Sequence, residues 1–377
     1  MVPTLDAATV RRWCSACVDA LDYHREEIDD LNVFPVPDGD TGTNLLLTLR
    51  GSADAVRREL SADAAGTVAA MARGALLAAR GNSGVIVSQV LRGLAEGLSA
   101  AGSRPGGAAL ADGLGRAVTL AYDAVAEPVE GTVLTVLTQA AAGGAGAGDD
   151  LREVAAAASA AAVEALARTP DQLPALARAG VVDAGGRGLV VLLDALAGTL
   201  LGRSGVHPPA SRQPRDTRAL ERTREAGSEA FGYEVTYLLD ADPAAVGRLR
   251  ADLLGLGDSL VVVGSGDGLW KVHVHVNDVG AAIETGVRAG HVEDISVTRF
   301  RDQIEAGRSG AWSGRAVVAV APGEGLGELF EAEGVRVVTG GPTSHPSTAQ
   351  VLDAIRGTAA AEVVLLPNHG DVAAVAN

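Results

Sequence analysis

Apolar positions over the first two hundred residues recur at three- and four-residue spacing, the period of a single helix face. Val10, Trp13, Cys14, Cys17 and Leu21 form one such stripe, Val68, Met71, Ala75 and Leu76 a second, and Val87, Leu91, Leu94 and Leu98 a third. Leu110, Leu114, Val118, Ala121 and Val125 continue the series, and further helices are predicted near 133–142, 151–168 and 188–201. Glycine-rich breaks fall at Gly81-Asn82-Ser83-Gly84, from Gly143 to Gly148 and at Gly185-Gly186. Many helices with short connections predict an all-α bundle or closed ring over residues 1–202.

The pattern then changes twice. Between 203 and 226 the periodicity disappears among Pro208, Pro209 and Pro214, which predicts a linker. From Tyr233 the apolar period drops to two. Strands are predicted at 233–239, 260–264, 269–276 and 292–298, with helices at 243–254 and 278–289, so that 227–312 forms an α+β domain of ferredoxin-like βαββαβ order. Ser265-Gly266-Asp267-Gly268 reads as the hairpin turn between its two middle strands. Apolar runs at 317–321, 335–339 and 362–366, separated by helical segments, predict parallel strands in a partial α/β domain over 313–377, which reads as a shortened or truncated sheet.

Composition narrows the functional classes. The chain of 377 residues carries a net charge of -16, and its arginines form no cluster of the kind that displaces counterions from nucleic acid. Lys271 is its single lysine, which excludes a Walker A phosphate loop. The N-terminus shows no signal-peptide pattern, and no unbroken apolar run is long enough for a membrane span, so a cytoplasmic protein is expected. Cys14 and Cys17 lie at helical spacing without a preceding strand, and read as core residues rather than a redox pair.

Three loops carry candidate chemistry. The first is Asn32-Val33-Phe34-Pro35-Val36-Pro37-Asp38-Gly39-Asp40-Thr41-Gly42-Thr43-Asn44. Its prolines stiffen the approach, and its glycines allow a tight turn in which Asp38 and Asp40 converge as hard oxygen ligands suited to magnesium. Thr41, Thr43 and Asn44 open the next helix, where hydroxyls and free amides favour an anion. Read by itself, the segment also fits a capped turn with solvated aspartates. The second loop, Arg80-Gly81-Asn82-Ser83-Gly84-Val85, is either a phosphate-holding helix start or a plain helix–helix turn. In the third, Val182-Asp183-Ala184-Gly185-Gly186-Arg187-Gly188, Asp183 is either a ligand to ribose or base or simply an N-cap.

Together with Pro128-Val129-Glu130-Gly131-Thr132, these loops resemble the ATP-binding L-subunit domain of dihydroxyacetone kinases, and more closely the A-type component of bacterial fatty acid kinase. The resemblance continues through Tyr233, Lys271-Val-His-Val-His275, Gly340-Gly341 to Ser347-Thr348 and Leu366-Pro367-Asn368, and so spans nearly the whole chain. It implies an eight-helix barrel holding ATP and two magnesium ions at one end. By position, Asp38 and Asp40 are implied metal ligands. Asn32 stands where the dihydroxyacetone kinases carry a third metal-binding aspartate. Thr43, Asn44, Asn82, Ser83 and Gly84 match the phosphate-contacting loops, and Thr132, Asp183, Ala184 and Gly185 match positions near the nucleoside. The family's longer C-terminal domain meets a separate fatty-acid-binding B-type component, and its members are often dimeric.

His273 and His275 alternate on one predicted strand and so share a face, which Glu234 on the first strand can reach. Two imidazoles and a carboxylate form a zinc-type ligand set, although a polar strand face reads equally well. Well-known relatives carry cysteine where Glu234 stands. The activity implied by the resemblance is transfer of the ATP γ-phosphate to a fatty acid carboxylate. That nucleophile is already ionised, so no general base is required, and His24 on the first helix reads as a surface residue. Phosphorylation of a small hydroxylated substrate and a non-catalytic nucleotide sensor are the alternatives.

Overall fold

The computed structural model describes residues 5–59, 63–102, 105–202, 230–300, 302, 315–340, 346, 350–351, 354–355, 358, 360 and 362–368. The predicted linker at 203–226 and most of the 341–348 run lie outside them. The chain divides into two compact units, residues 1–302 and 303–377.

The first unit begins with helices α1 (Ala7–Leu31), α2 (Thr41–Arg58), α3 (Ala64–Ala78), α4 (Gly81–Ala100), α5 (Gly107–Ala124), α6 (Val133–Ala145) and α7 (Leu151–Ala167). Two short helices, α8 (Thr169–Gln172) and α9 (Pro174–Ala179), lead to α10 (Ala184–Leu201). Side-chain caps set several starts: Asp6, Asp63, Thr132, Asp150 and Asp183 each accept from a first-turn amide. Each of α1 to α7 packs on the next, and α10 returns against both α7 and α1. Their inward stripes merge into one core that includes the fully buried Leu21, Leu45, Leu91, Leu114 and Leu137. Cys14 and Cys17 belong to that core, and burial pushes the Cys14 thiol up to about 11. Among the described residues, α10 is the one helix long and apolar enough to cross a membrane. Here it is largely buried between α1 and α7.

The same unit continues with β1 (Tyr233–Asp240), α11 (Pro243–Leu254), β2 (Gly257–Gly264), β3 (Leu269–Val276), α12 (Val279–Ala289) and β4 (His291–Arg299). The strands form an antiparallel sheet in the order β2-β3-β1-β4. One face, with Val235, Tyr237, Val272 and Val274, packs beneath α11 and α12. The other face is turned to the helical domain, where Val261 and Val263 bury against Leu76, Ala79, Val85 and Ala124. Polar contacts fix this docking. Val125 bridges to Val261, the Ala126 amide donates to the Leu260 carbonyl at 3.1 Å, and Arg250 donates to the Asp123 and Val262 carbonyls at 2.8 and 2.6 Å.

The second unit contains β5 (Arg315–Ala321), α13 (Glu324–Ala332), β6 (Arg336–Thr339) and β7 (Glu362–Leu366). Its strands are parallel, with β5 between β6 and β7. Val318, Val320 and Val338 lie in its small core.

Candidate functional site

The 32–40 segment between α1 and α2 contains a cis Phe34–Pro35 bond and ends on Asp40, the residue before α2. Asp40 makes no side-chain cap to its own helix, and its carboxylate instead meets Asp38 and Asn44. Asn32, buried at the end of α1, donates its amide to Asp38. The two aspartates are therefore held in contact. Burial and the neighbouring Asp40 charge raise the Asp38 carboxyl well above the ordinary range, and burial raises Asp40 as well. Two carboxylates confined in this way require a shared proton or a cation between them.

The start of α4 approaches the same point. Gly81 has φ +55°, and a Cβ there would lie 2.7 Å from the Asn44 amide nitrogen, so glycine allows α4 to abut α2. Arg80 at the N-cap makes no side-chain cap, and the first intrahelical bond is that of the Gly84 amide. The preceding amides of Gly81, Asn82 and Ser83 form an open, positively polarised helix end. At α2 the position is different. Asp29 on α1 accepts from the Thr43 amide at 2.9 Å and the Thr43 hydroxyl at 2.8 Å. The end of α2 is thus satisfied internally, whereas the end of α4 is available to an anion.

The opposite wall comes from the sheet. His273 and His275 are buried on the face turned to the helical domain, with their Nε2 atoms 3.1 Å apart and neither Nδ1 hydrogen-bonded. Glu234 on β1 pairs with His275 across the ladder, and its Oε2 is 3.9 Å from His273 Nδ1. Ligand atoms of these three residues lie within 4.8 Å of one another. Burial drives His273 well below the usual imidazole value, so its ring is neutral. Burial, and next the Asp40 charge, raise Glu234 to about 7. Lys271 shares the strand face and donates to Asp294 at 3.3 Å.

Asn32, Asp38, Asp40, Asn44, Glu234 and the two histidines line one cavity of about 40 Å³. The sequence reading puts the aspartates and the histidines in separate domains with separate sites; the docked sheet face joins them in one. Asn82 and Ser83 form its junction with a larger cleft of about 370 Å³. Thr132, Asp183 and Gly185 line one side of that cleft, and residues 257–261 at the start of β2 line the other. Three side-chain atoms in this region are buried without a hydrogen-bond partner: Asn82 Oδ1, His273 Nδ1 and His275 Nδ1. Unsatisfied acceptors beside crowded carboxylates fit cations, and the nitrogen donors fit a zinc-type ion.

Family models match three consecutive stretches: a DAK2 domain at residues 35–198, the middle domain of the fatty acid kinase A-subunit-like proteins at 230–307, and the C-terminal domain of the same proteins at 316–377. Protein YloV of Bacillus subtilis (strain 168) is 33% identical over 401 residues, which cover 100% of this chain and 72% of that protein. The chain belongs to the fatty acid kinase A-subunit-like family. Uncharacterized protein SH1689 of Staphylococcus haemolyticus (strain JCSC1435) is 32% identical, over 93% of this chain and 68% of its own length. Uncharacterized protein SAR1202 of Staphylococcus aureus (strain MRSA252) is 31% identical over the same shares. Membership makes the chain a kinase-type protein with a DAK2 domain.

Within this family member, the structure separates residues that the sequence groups together. Thr41, Asn44, Asn82 and Ser83 line a cavity, whereas Thr43 is turned to Asp29. Gly84 lies against Thr48, where a Cβ would meet the Thr48 hydroxyl at 2.4 Å, and Ala184 is buried in the helical core. Asp183 is an N-cap, and its role as a ligand belongs to the proposed function. Its carboxylate caps α10 by accepting from the Gly186 amide at 2.7 Å, and it also lines the cleft, with burial raising it to about 6. His24 is not on the surface. It is buried, with Nδ1 2.7 Å from Glu27, and Arg187 of α10 donates to Glu27 at 2.9 Å. The helical period at His24 is compatible with burial, but the partner that makes burial favourable is supplied from 163 residues away. Sequence reasoning also missed Asp29, whose capping role requires knowing that α1 passes under α2, and Asp258, which lies 3.5 Å from His275 Nδ1.

Proposed function

We propose that this chain is the ATP-binding, phosphoryl-transferring component of a fatty acid kinase, acting on a fatty acid carboxylate presented by a separate fatty-acid-binding protein. The contact between Asp38 and Asp40 at the mouth of the open α4 helix end carries the reading. It pairs a cation site with an anion site at one end of a cleft large enough for a nucleoside.

In this reading Asp38 and Asp40 hold magnesium, with Asn32 and Asn44 orienting them. Magnesium, when bound, offsets charge on the terminal phosphates. The amides of residues 81–83 and the Asn82 side chain steady those phosphates, while Thr132, Asp183 and Gly185 receive the nucleoside. Transfer of this type depends mainly on positioning and charge. A carboxylate acceptor is already an anion and needs no general base. Glu234, His273 and His275 fit a zinc-type ion beside the phosphate end.

The closed succession of helix contacts is read as an eight-helix barrel over 1–202, and the βαββαβ unit over 227–312 as ferredoxin-like. Residues 203–226 are read as the linker and 313–377 as the region through which the family meets its partner. Dependence on ATP fits a cytoplasmic location. The test incubates the full chain with Mg-ATP and a fatty-acid-binding protein loaded with oleate, and traps acyl phosphate with hydroxylamine. Acyl hydroxamate is the expected product. Phosphorylated triose from dihydroxyacetone, or nucleotide binding without turnover, contradicts the proposal.

A further inference from the structure

The cleft between the helical domain and the sheet has a wall that no nucleotide-loop reading uses. β2 begins just after α11, and its first residues lie across from Thr132, Asp183 and Gly185. Its pairing with β3 is irregular there: Asp258 pairs with His275 and Val261 with His273, so Ser259 and Leu260 together oppose a single residue of β3. This is a β-bulge, and bulges re-aim side chains beside functional sites. Ser259 has φ +52°, a left-handed conformation rarely adopted by a serine, and both Ser259 and Asp258 line the cleft. The bulge is held in place. A Cβ at Gly257 would lie 1.8 Å from the His275 carbonyl, which shows how closely the strands approach just before it, and the Ala126 amide binds the Leu260 carbonyl just after it.

We infer that Asp258 and Ser259 form the ribose-recognition element of the nucleotide site, so that the middle domain, rather than the helical domain alone, selects the sugar. The inference rests on the kinase reading above and adds the contact that this reading leaves open. The nucleoside end and the phosphate end meet at Asn82 and Ser83, and ribose must lie between them. Asp258 lines the nucleoside cleft and lies 3.5 Å from His275, which lines the phosphate-end cavity. Its side chain is half exposed, so one oxygen can face His275 while the other remains open to the cleft. A carboxylate accepting from vicinal hydroxyls is a recurrent means of holding ribose. The Ser259 hydroxyl supplies a second polar group from the same turn.

The test measures binding of ATP, 2′-deoxy-ATP and 3′-deoxy-ATP to the full chain by calorimetry with magnesium, for wild type, Asp258→Ala and Ser259→Gly. Wild type is expected to prefer ATP over at least one deoxynucleotide by about tenfold or more, the value of a hydrogen bond to a charged group. Asp258→Ala is expected to bind ATP and that deoxynucleotide alike. Ser259→Gly, which suits the left-handed turn and removes only the hydroxyl, is expected to narrow the preference. Equal binding of all three nucleotides by wild type, or undiminished discrimination in Asp258→Ala, overturns the inference while leaving the kinase reading intact. Failure of wild type to bind ATP overturns both.

Discussion

Glu234 on the first strand of the sheet and Asp40 at the start of the second helix face one cavity, and the charge of Asp40 helps to hold the Glu234 carboxyl near neutrality. Acidic groups from two domains converge there with two imidazoles, so under the proposed function cation binding and domain docking would be coupled. A ligand that bridges the aspartates and the sheet face stabilises the native arrangement by mass action.

Crowding of the acids predicts a trade between function and stability. With EDTA present, Asp38→Asn removes one of two confined carboxylates and should raise the stability of the chain by about 1 kcal/mol, read as an increase in Tm. With magnesium and ATP present the order reverses, because wild type alone gains from the ligands. A variant less stable than wild type under both conditions contradicts this account.

Thr43 and Asn82 should separate cleanly. Thr43 donates both its amide and hydroxyl to Asp29, so Thr43→Val loses one cap bond and about 1 kcal/mol of stability, with ATP affinity changed less than about threefold. Asn82→Ala removes the side-chain amide N–H donors that the proposed site turns to the phosphates, so affinity for ATP should fall by about tenfold with Tm little changed. Paired melting and calorimetry check both halves.

The Glu27–Arg187 pair, with Arg187 buried and Glu27 half-buried, contributes to acid stability. Burial opposes the Glu27 charge, but hydrogen bonds from His24 and Arg187 outweigh it and bring the carboxyl to about 2. A carboxyl lowered from 4.5 contributes stability that is present above the unfolded value and lost as pH falls through the folded one, here between about 4.5 and 2. At most roughly 3 kcal/mol is involved. The double variant Glu27→Leu/Arg187→Met should show a shallower acid limb in urea titrations than wild type. Arg187→Ala alone should cost about 1–3 kcal/mol, since Glu27 keeps only His24 as a partner.

Removal of the sheet ligands tests the nitrogen-rich part of the site. Elemental analysis of purified wild type should find a zinc-type ion, and His273→Gln should reduce its content several-fold. Equal metal content in the two proteins contradicts the assignment of Glu234, His273 and His275.

Much of the fold is legible from local signals. The helix Pro243–Leu254 and the strand Leu269–Val276 run as predicted, because proline at a helix start and strict alternation in a strand are effects of neighbouring residues. Alternation predicts β2 from residue 260, but the strand begins at Gly257, since Asp258 and Ser259 break the apolar pattern at the bulge. The short helices at 169–179 carry Pro170 and Pro174 in their first turns and have too few turns to show a period. In the site, the convergence of Asp38 and Asp40 is legible because the two residues lie within three positions of each other. The burial of His24, the capping by Asp29 and the meeting of Asp40 with Glu234 are not. Periodicity shows which face of an element is buried, but not which distant face it meets.

The most direct measurement is calorimetry of ATP binding to wild type and to the double variant Asp38→Asn/Asp40→Asn, each with magnesium and with EDTA. The account predicts ATP affinity in wild type that depends on magnesium and is lost in the double variant, whose melting profile remains cooperative. Equal affinity in the two proteins, or wild-type binding indifferent to magnesium, contradicts it.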